Sequence, residues 1–122
     1  MTDRLTEIVT IQKEFQLNFF DPDSIDSDKK IALTKEFILS LHRELGEVLN
    51  SVPWKLHRAN EVSYDTSHIQ EELIDCLKFL LNLFIVWQMT DSDIYNEFLK
   101  KTEIVKFRYE EEKNNIKSYG AN

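Results

Sequence analysis

Four carboxylates stand in two pairs with helical spacing, and no other residues of this chain are better suited to chemistry. Glu44 and Glu47 form the first pair, and Glu72 and Asp75 form the second. Residues three apart lie on one face of a helix, so two such helices can direct four carboxylates into one space. Oxygen ligands suit hard cations such as Mg²⁺, and two such ions can clamp phosphate oxygens and activate a water molecule. One pair alone is usually a solvated helix face, and for both pairs this alternative stays open.

The second pair belongs to an unusually apolar segment. From Leu73 to Trp87 the chain is apolar on nearly every side, which indicates a buried helix with Trp87 in the core. The polar residues form one narrow stripe, made of His68, Glu71, Glu72, Asp75, Lys78 and Asn82. Because burying a bare charge is too costly, these carboxylates must be solvated, paired or bound to metal. Lys78 meets a phosphate or pairs with a stripe carboxylate, and the sequence favours pairing.

Gly46 lies between the two carboxylates of the first pair. A glycine inside a helix costs about 1 kcal/mol relative to alanine. Its presence predicts that another backbone or a ligand approaches the helix at this point.

The elements that must position these residues are helices. Apolar spacing predicts four of them, over about 4–17, 28–50, 68–89 and 91–117, the last ending near Gly120. Cap signals precede three of these helices, namely Ser27 or Asp28, Ser67 with Gln70, and Thr90 with Asp93. Short connections predict an antiparallel bundle. The third helix is too apolar for the edge of a monomer, so we expect a second subunit to complete the bundle.

Composition supports one small all-α domain over residues 1–122. Only 2 glycines and 2 prolines occur among 122 residues, whereas all-β folds need many turns. The net charge of −7, from 15 basic and 22 acidic residues, argues against nucleic acid as a partner. Cys76, the single cysteine, indicates a core position in a reducing compartment. The first residues of the chain carry charges, unlike a signal peptide. The apolar runs are too short for a membrane span. Both features predict a cytoplasmic protein without membrane contact.

The spacing of the carboxylates resembles a known superfamily. Glu44-x-x-Glu47 followed by Glu72-x-x-Asp75 is similar to the signature of the all-α nucleoside triphosphate pyrophosphatases, which include MazG-like proteins and dimeric dUTPases. The resemblance covers roughly residues 5 to 110. It implies a four- to five-helix bundle completed by dimerisation, with these four residues as catalytic ligands of Mg²⁺, for which Mn²⁺ can substitute.

Further residues resemble the substrate-binding positions of that superfamily. Gln12 lies in a segment similar to the opening helix of dimeric dUTPases, and Trp54-Lys55 resembles the region after their first motif. Lys101 and Arg108 resemble phosphate-facing residues of the last helix, although Phe98 and Val105 replace a Tyr and an Asn of that pattern. From the residues alone, Gln12 either binds a base or lies on a solvated polar face, and the solvated face is the favoured alternative. Trp54 either stacks on a nucleobase or covers the end of the bundle.

The resemblance implies hydrolysis of a (deoxy)nucleoside triphosphate to the monophosphate and pyrophosphate. The first substrate expected is dUTP, and a broader dNTP house-cleaning role comes next. The expected assembly is a homodimer or a dimer of dimers. The alternative from another class is a non-enzymatic helical dimeric interaction module, in which the stripe residues serve only solubility or partner pairing.

Overall fold

Four α-helices and no strand make up the part of the chain that the structure describes. This computed structural model describes residues 3–55 and 63–120, with side chains as far as 116. The helices are α1 (Arg4–Gln16), α2 (Ser27–Asn50), α3 (Thr66–Val86) and α4 (Asp91–Gly120). The all-α fold class is confirmed. The chain divides into two compact units, Met1–Met89 and Thr90–Asn122, and the single domain stays a prediction.

Helices α2 and α3 form an antiparallel hairpin. The Phe37 and Phe79 rings lie 6.4 Å apart, and nearer the start of α2 the Trp87 indole N–H donates to Thr34 Oγ1 at 3.0 Å. Contacts early in α2 therefore involve residues late in α3. The reverse must hold at the other end, where the last turns of α2 meet the first turns of α3.

The buried core lies where α2 begins and α3 ends. Its members are Phe20, Leu33, Phe37, Ile85 and Val86, with Ile25, Phe79 and Leu83 packed against them. Burial of these side chains fixes how the two helices face each other. The half of the hairpin with the carboxylate pairs lies beyond this core and holds fewer buried apolar side chains.

Two of the predicted helix caps are wrong. Asp26, not Ser27 or Asp28, caps α2 by accepting a first-turn backbone N–H. Asp65 caps α3 by accepting the Ser67 N–H at 2.9 Å, so Ser67 does not begin a capping box. In both cases the cap is a carboxylate one or two residues ahead of the predicted position, and its charge also complements the positive end of the helix dipole.

Helix α3 ends three residues earlier than predicted. Gln88 adopts a φ of 57°, in the left-handed region, and the Met89 N–H donates to the Phe84 carbonyl at 2.9 Å. Together with the bond from Gln88 N–H to the Ile85 carbonyl at 3.0 Å, this is a Schellman turn. The apolar pattern continues past this turn, which is why it predicted a longer helix.

Trp87 was predicted to be a core residue, and that prediction is wrong. Its side chain is 52% exposed, because it caps the end of α3 instead of lying on the buried face. The indole N–H donates to Thr34, and the Lys30 ammonium lies 5.2 Å from the ring centroid. Trp87 therefore ties the start of α2 to the end of α3 from the surface.

Helix α4 begins at the predicted capping box. The Thr90 N–H donates to the Asp93 carboxylate at 2.9 Å, and the Asp93 N–H donates to Thr90 Oγ1 at 3.1 Å. This reciprocal pair confirms the predicted start of the helix. Several large apolar side chains of α4 are exposed, among them Tyr95, Phe98, Leu99, Val105, Phe107 and Tyr109.

Within the described ranges, no helix taken alone has the length and apolarity required to cross a membrane. One bent pair, Thr66–Val86 with Asp91–Ile116, passes that test when its two helices are taken together.

Candidate metal centre

The antiparallel hairpin brings carboxylates of both predicted pairs together. Glu44 lies near the end of α2, and Glu72 and Asp75 lie in the first turns of α3. One carboxylate oxygen from each of these three residues lies within 4.8 Å of the others. The sequence placed each pair on one helix face, and the reversal of direction between the helices makes the two faces meet.

Two oxygens of this cluster are buried without a hydrogen-bond donor. Glu44 Oε2 and Glu72 Oε2 are inaccessible to solvent, and no donor among the described residues reaches either atom. A buried carboxylate oxygen without a partner is costly, since it has lost its hydration without compensation. Such atoms need a positive charge or a proton, and a cation between them supplies the charge.

Glu47, the remaining predicted ligand, borders the same cluster. It is close enough to Glu44 and Glu72 to raise the pKa of both carboxyls, by its charge and by accepting a hydrogen bond from their protonated forms. Its own side chain is 45% exposed and Oε1 lies 3.8 Å from Arg43 Nε. Glu47 therefore stands on the solvent side of the cluster, outside the group of three.

Burial is the largest cause of a raised pKa at both Glu44 and Glu72. For Glu44 the charges of Glu47, Asp75 and Glu72 add to it. For Glu72 the hydrogen bond and charge of Glu47 and the charge of Asp75 act in the same direction, whereas His68 lowers the pKa. The raised pKa shifts Glu44 and Glu72 toward their protonated forms, whereas a bound cation would favour their ionised forms.

The donor set fits a hard divalent cation. All three side chains within metal-binding distance of one another are carboxylates, and Glu47 offers a fourth. Mg²⁺ and Mn²⁺ prefer such oxygen ligands. The residues present therefore fit the divalent cation that the resemblance implies. The two buried oxygens without a donor are the structural observation that supports this fit.

Cys76 is buried directly after Asp75, as predicted for a core thiol. Burial and the surrounding carboxylate charges raise the pKa of the thiol. A raised pKa keeps the sulfur protonated and a poor nucleophile. Cys76 is a packing residue of this region.

Gln12 is buried, so the interpretation of this residue as part of a solvated polar face is wrong. It is only 6% exposed, and its Nε2 donates to Asn82 Oδ1 at 2.7 Å. Asn82 lies two turns beyond Asp75 on the polar stripe of α3, and α1 packs against α3 at this point. The sequence placed Asn82 on that stripe but gave no sign of its partner on α1. Contact of Gln12 with substrate stays a prediction.

Trp54 and Lys55 follow the end of α2, on the side of the hairpin where the carboxylates lie. Trp54 is 47% exposed, its indole N–H reaches Asn50 Oδ1 at 3.5 Å, and the Lys55 ammonium lies 5.5 Å from its ring centroid. An exposed ring here is available for stacking, and the alternative of a cover for the bundle end stays open. The rest of this connection, 56–62, lies outside the described residues.

Lys101 and Arg108 both lie on α4, seven residues apart, and both are exposed. That spacing places them on one side of the helix. They belong to the second unit, and their contact with the phosphates of a substrate stays a prediction.

The expected pairing of Lys78 with a stripe carboxylate is wrong within the described part of the first unit, where Lys78 forms no ion pair. The basic side chains that contact these carboxylates lie instead four positions before two of the glutamates. Arg43 reaches Glu47, and His68 Nε2 lies 3.6 Å from Glu72 Oε1. The i, i+4 spacing of Arg43 and Glu47 is the sequence signal that could have predicted their contact.

Comparison with known proteins gives one result. The family model described as dUTPase matches residues 4–119. Searches of curated proteins and of solved structures find no match. The matched range includes every carboxylate of the cluster and the four helices except the last residue of α4, which confirms the resemblance drawn from the two motifs. The chain belongs to the dUTPase family, a family of nucleotide hydrolases.

Proposed function

We propose that this chain hydrolyses a deoxynucleoside triphosphate, first of all dUTP, to the monophosphate and pyrophosphate in the presence of Mg²⁺. The observation that carries the proposal is the pair of buried, donor-free oxygens Glu44 Oε2 and Glu72 Oε2. They occur at the two motifs that resemble the superfamily's metal ligands, in a chain whose family membership is established over 4–119.

The four carboxylates divide into two roles. Glu44, Glu72 and Asp75 would hold Mg²⁺, and Glu47 completes the set from the solvent side. The bound cation would offset phosphate charge and lower the pKa of an attacking water. Glu47 would accept the proton of that water, a role that its partial exposure beside the group of three supports. Attack on the α-phosphorus breaks its bond to the bridging oxygen, and pyrophosphate leaves.

The proposed substrate contacts are the residues that resemble the substrate-binding positions of the superfamily. Gln12 and Trp54 would contact the base, with Lys55 beside the tryptophan ring. Asn82 keeps the buried Gln12 amide in a fixed orientation, which lowers the entropic cost of using it for recognition. Lys101 and Arg108 would balance phosphate charge from α4. A broader range of dNTPs is the second substrate class that this arrangement would serve.

A homodimer, or a dimer of dimers, is the proposed assembly. Large apolar side chains of α3 remain exposed in the single chain, namely Leu73, Ile74, Leu77 and Leu80, at 39% to 52%. A buried-type helix with this much exposed apolar surface is normally covered.

The free buried thiol of Cys76 suits the reducing cytoplasm, where we place the reaction.

A nucleotide panel tests the proposal. Purified protein with Mg²⁺ or Mn²⁺ should release pyrophosphate, not orthophosphate, from dUTP or another dNTP. Glu72→Gln should abolish release, whereas Glu71→Gln should retain it, because Glu71 is exposed and is not one of the three clustered carboxylates.

Intact nucleotides across the full panel would overturn the enzyme function. Light scattering on the same sample tests the assembly. A dimer without activity would favour the non-enzymatic interaction module.

A further inference from the structure

The two oxygens of the Glu72 carboxylate have different surroundings. Oε2 is buried and faces no donor among the described residues, whereas Oε1 lies 3.6 Å from His68 Nε2. The Glu72 side chain is only 14% exposed, while that of His68 is 55% exposed. The imidazole thus contacts the carboxylate from outside, and the opposite oxygen faces the cluster.

Within the described part of the first unit, His68 is the only basic side chain that contacts the three clustered carboxylates. Glu44 and Asp75 have no basic side chain within ion-pair distance there. Arg43 contacts Glu47, which stands outside the group of three. A base that touches only the outer oxygen of one buried ligand is placed to orient that ligand.

Helix stability does not explain the position of His68. It is the third residue of α3, at the end of the helix where acidic and not basic side chains are stabilising. The order of the pair, base first and acid four residues later, is also the less stabilising one on a helix. A residue that works against its own helix is typical of a functional site.

We propose that His68 is a positioning residue, which holds Glu72 Oε1 so that Oε2 is directed at the cation. The inference rests on the proposed function, because it concerns a ligand of the proposed metal centre. Ligating carboxylates commonly need such an outer partner, and its loss typically lowers metal affinity 10- to 100-fold. The contact of 3.6 Å is longer than a hydrogen bond, and contacts of this kind often shorten once a ligand is bound.

Cation binding by the unmutated protein and three variants tests the role. Mn²⁺ affinity is measured by calorimetry at pH 8, and melting temperature is measured with EDTA. His68→Ala should weaken Mn²⁺ binding about 10-fold without shifting the melting temperature. His68→Gln should restore most of the affinity, because an amide N–H can donate to Glu72 Oε1 across the same spacing.

His42→Ala is the matched control. His42 is exposed on α2 and makes no ion pair or hydrogen bond with the described residues, so Mn²⁺ affinity should not change. Equal Mn²⁺ affinity in His68→Ala and the unmutated protein, with hydrolysis intact, would overturn the role of His68 alone. A His68→Gln variant as weak as His68→Ala would also overturn it. An unmutated protein that binds no Mn²⁺ would overturn the metal centre and this role together.

Discussion

Glu44 and Glu72 lie 28 positions apart in the chain, yet each places a carboxylate oxygen within 4.8 Å of the other in the α2–α3 hairpin. Each also keeps one buried oxygen without a donor. Like charges at this separation repel, and a partly buried setting strengthens the repulsion. The hairpin is therefore less stable without a cation than its packing alone would make it, and four measurements follow from this site.

Removal of one charge should stabilise the metal-free protein. Asp75→Asn keeps the shape of the side chain, and within the described part of the first unit Asp75 forms no ion pair that the change would break. We expect the metal-free variant to melt at a higher temperature than the metal-free unmutated protein. Mg²⁺ should then raise the melting temperature of the unmutated protein but barely affect the variant, since ligand bound to the native state stabilises by mass action.

Four melting curves, of each protein with and without Mg²⁺, test the predicted effect of Asp75→Asn. If Asp75 served as a salt-bridge anchor, the variant would melt lower and Mg²⁺ would change neither protein.

The stability of the metal-free protein should depend on pH through Glu44 and Glu72. Burial, followed by neighbouring carboxylates, raises the pKa of both groups, so the folded chain binds protons more readily than the unfolded chain. The stabilisation from this uptake is complete below the ordinary carboxyl pKa and is lost as pH rises through the raised pKa. Glu44→Gln removes one of these groups. Its gain in melting temperature over the unmutated protein, in EDTA, should be large at pH 8 and should shrink toward pH 5.

Glu36→Gln is the control for this series. Glu36 is an exposed residue of the same helix and lies outside the carboxylate cluster. Its effect on the melting temperature should not follow the same trend with pH. A Glu44→Gln gain that stayed constant from pH 5 to pH 8 would contradict the coupling of Glu44 to the cluster.

Trp54 should contribute to substrate binding and not to cation binding. Trp54 is 47% exposed beside the carboxylate end of the hairpin, and stacking of a base on an aromatic ring contributes about 1–3 kcal/mol. Trp54→Ala should therefore raise KM at least several-fold, while Mn²⁺ affinity is kept. Trp87→Ala deletes an equally exposed tryptophan at the other end of the hairpin and should lower stability without raising KM. Equal KM values in the two variants would return Trp54 to a structural role.

Substitution of Gly46 should change stability and activity in opposite directions. A Cβ added at Gly46 would meet no heavy atom within 4 Å among the described residues, so no neighbouring backbone there requires glycine. Either a ligand or the backbone of a second subunit then approaches the helix between Glu44 and Glu47, and we propose the ligand. Gly46→Ala should then raise the free energy of unfolding by about 1 kcal/mol while lowering kcat/KM. Urea titration and steady-state kinetics measure the two effects. Increased stability with unchanged kinetics would show that the glycine has no role in catalysis.

Local sequence patterns determined which segments are helical and which residues are candidates for the chemistry. The four helices, the capping box at Thr90 and the carboxylate pairs follow from spacings of three to four residues. Such spacings depend only on the geometry of one helix. The same patterns misplaced the caps of α2 and α3, because neighbouring residues such as Asp26 and Ser27 are both good caps and only the path of the chain selects one.

Contacts between helices were decided by the tertiary structure alone. The register of the α2–α3 hairpin brings Glu44 to Glu72, and the packing of α1 on α3 buries Gln12 against Asn82. The end of α3 likewise places Trp87 on the surface, although its apolar neighbours predicted burial. One helix fixes which face a residue occupies, but the facing residue depends on the length and direction of the connection between helices. The sequence could therefore name the carboxylates, and only the fold could leave two of their oxygens buried without a donor.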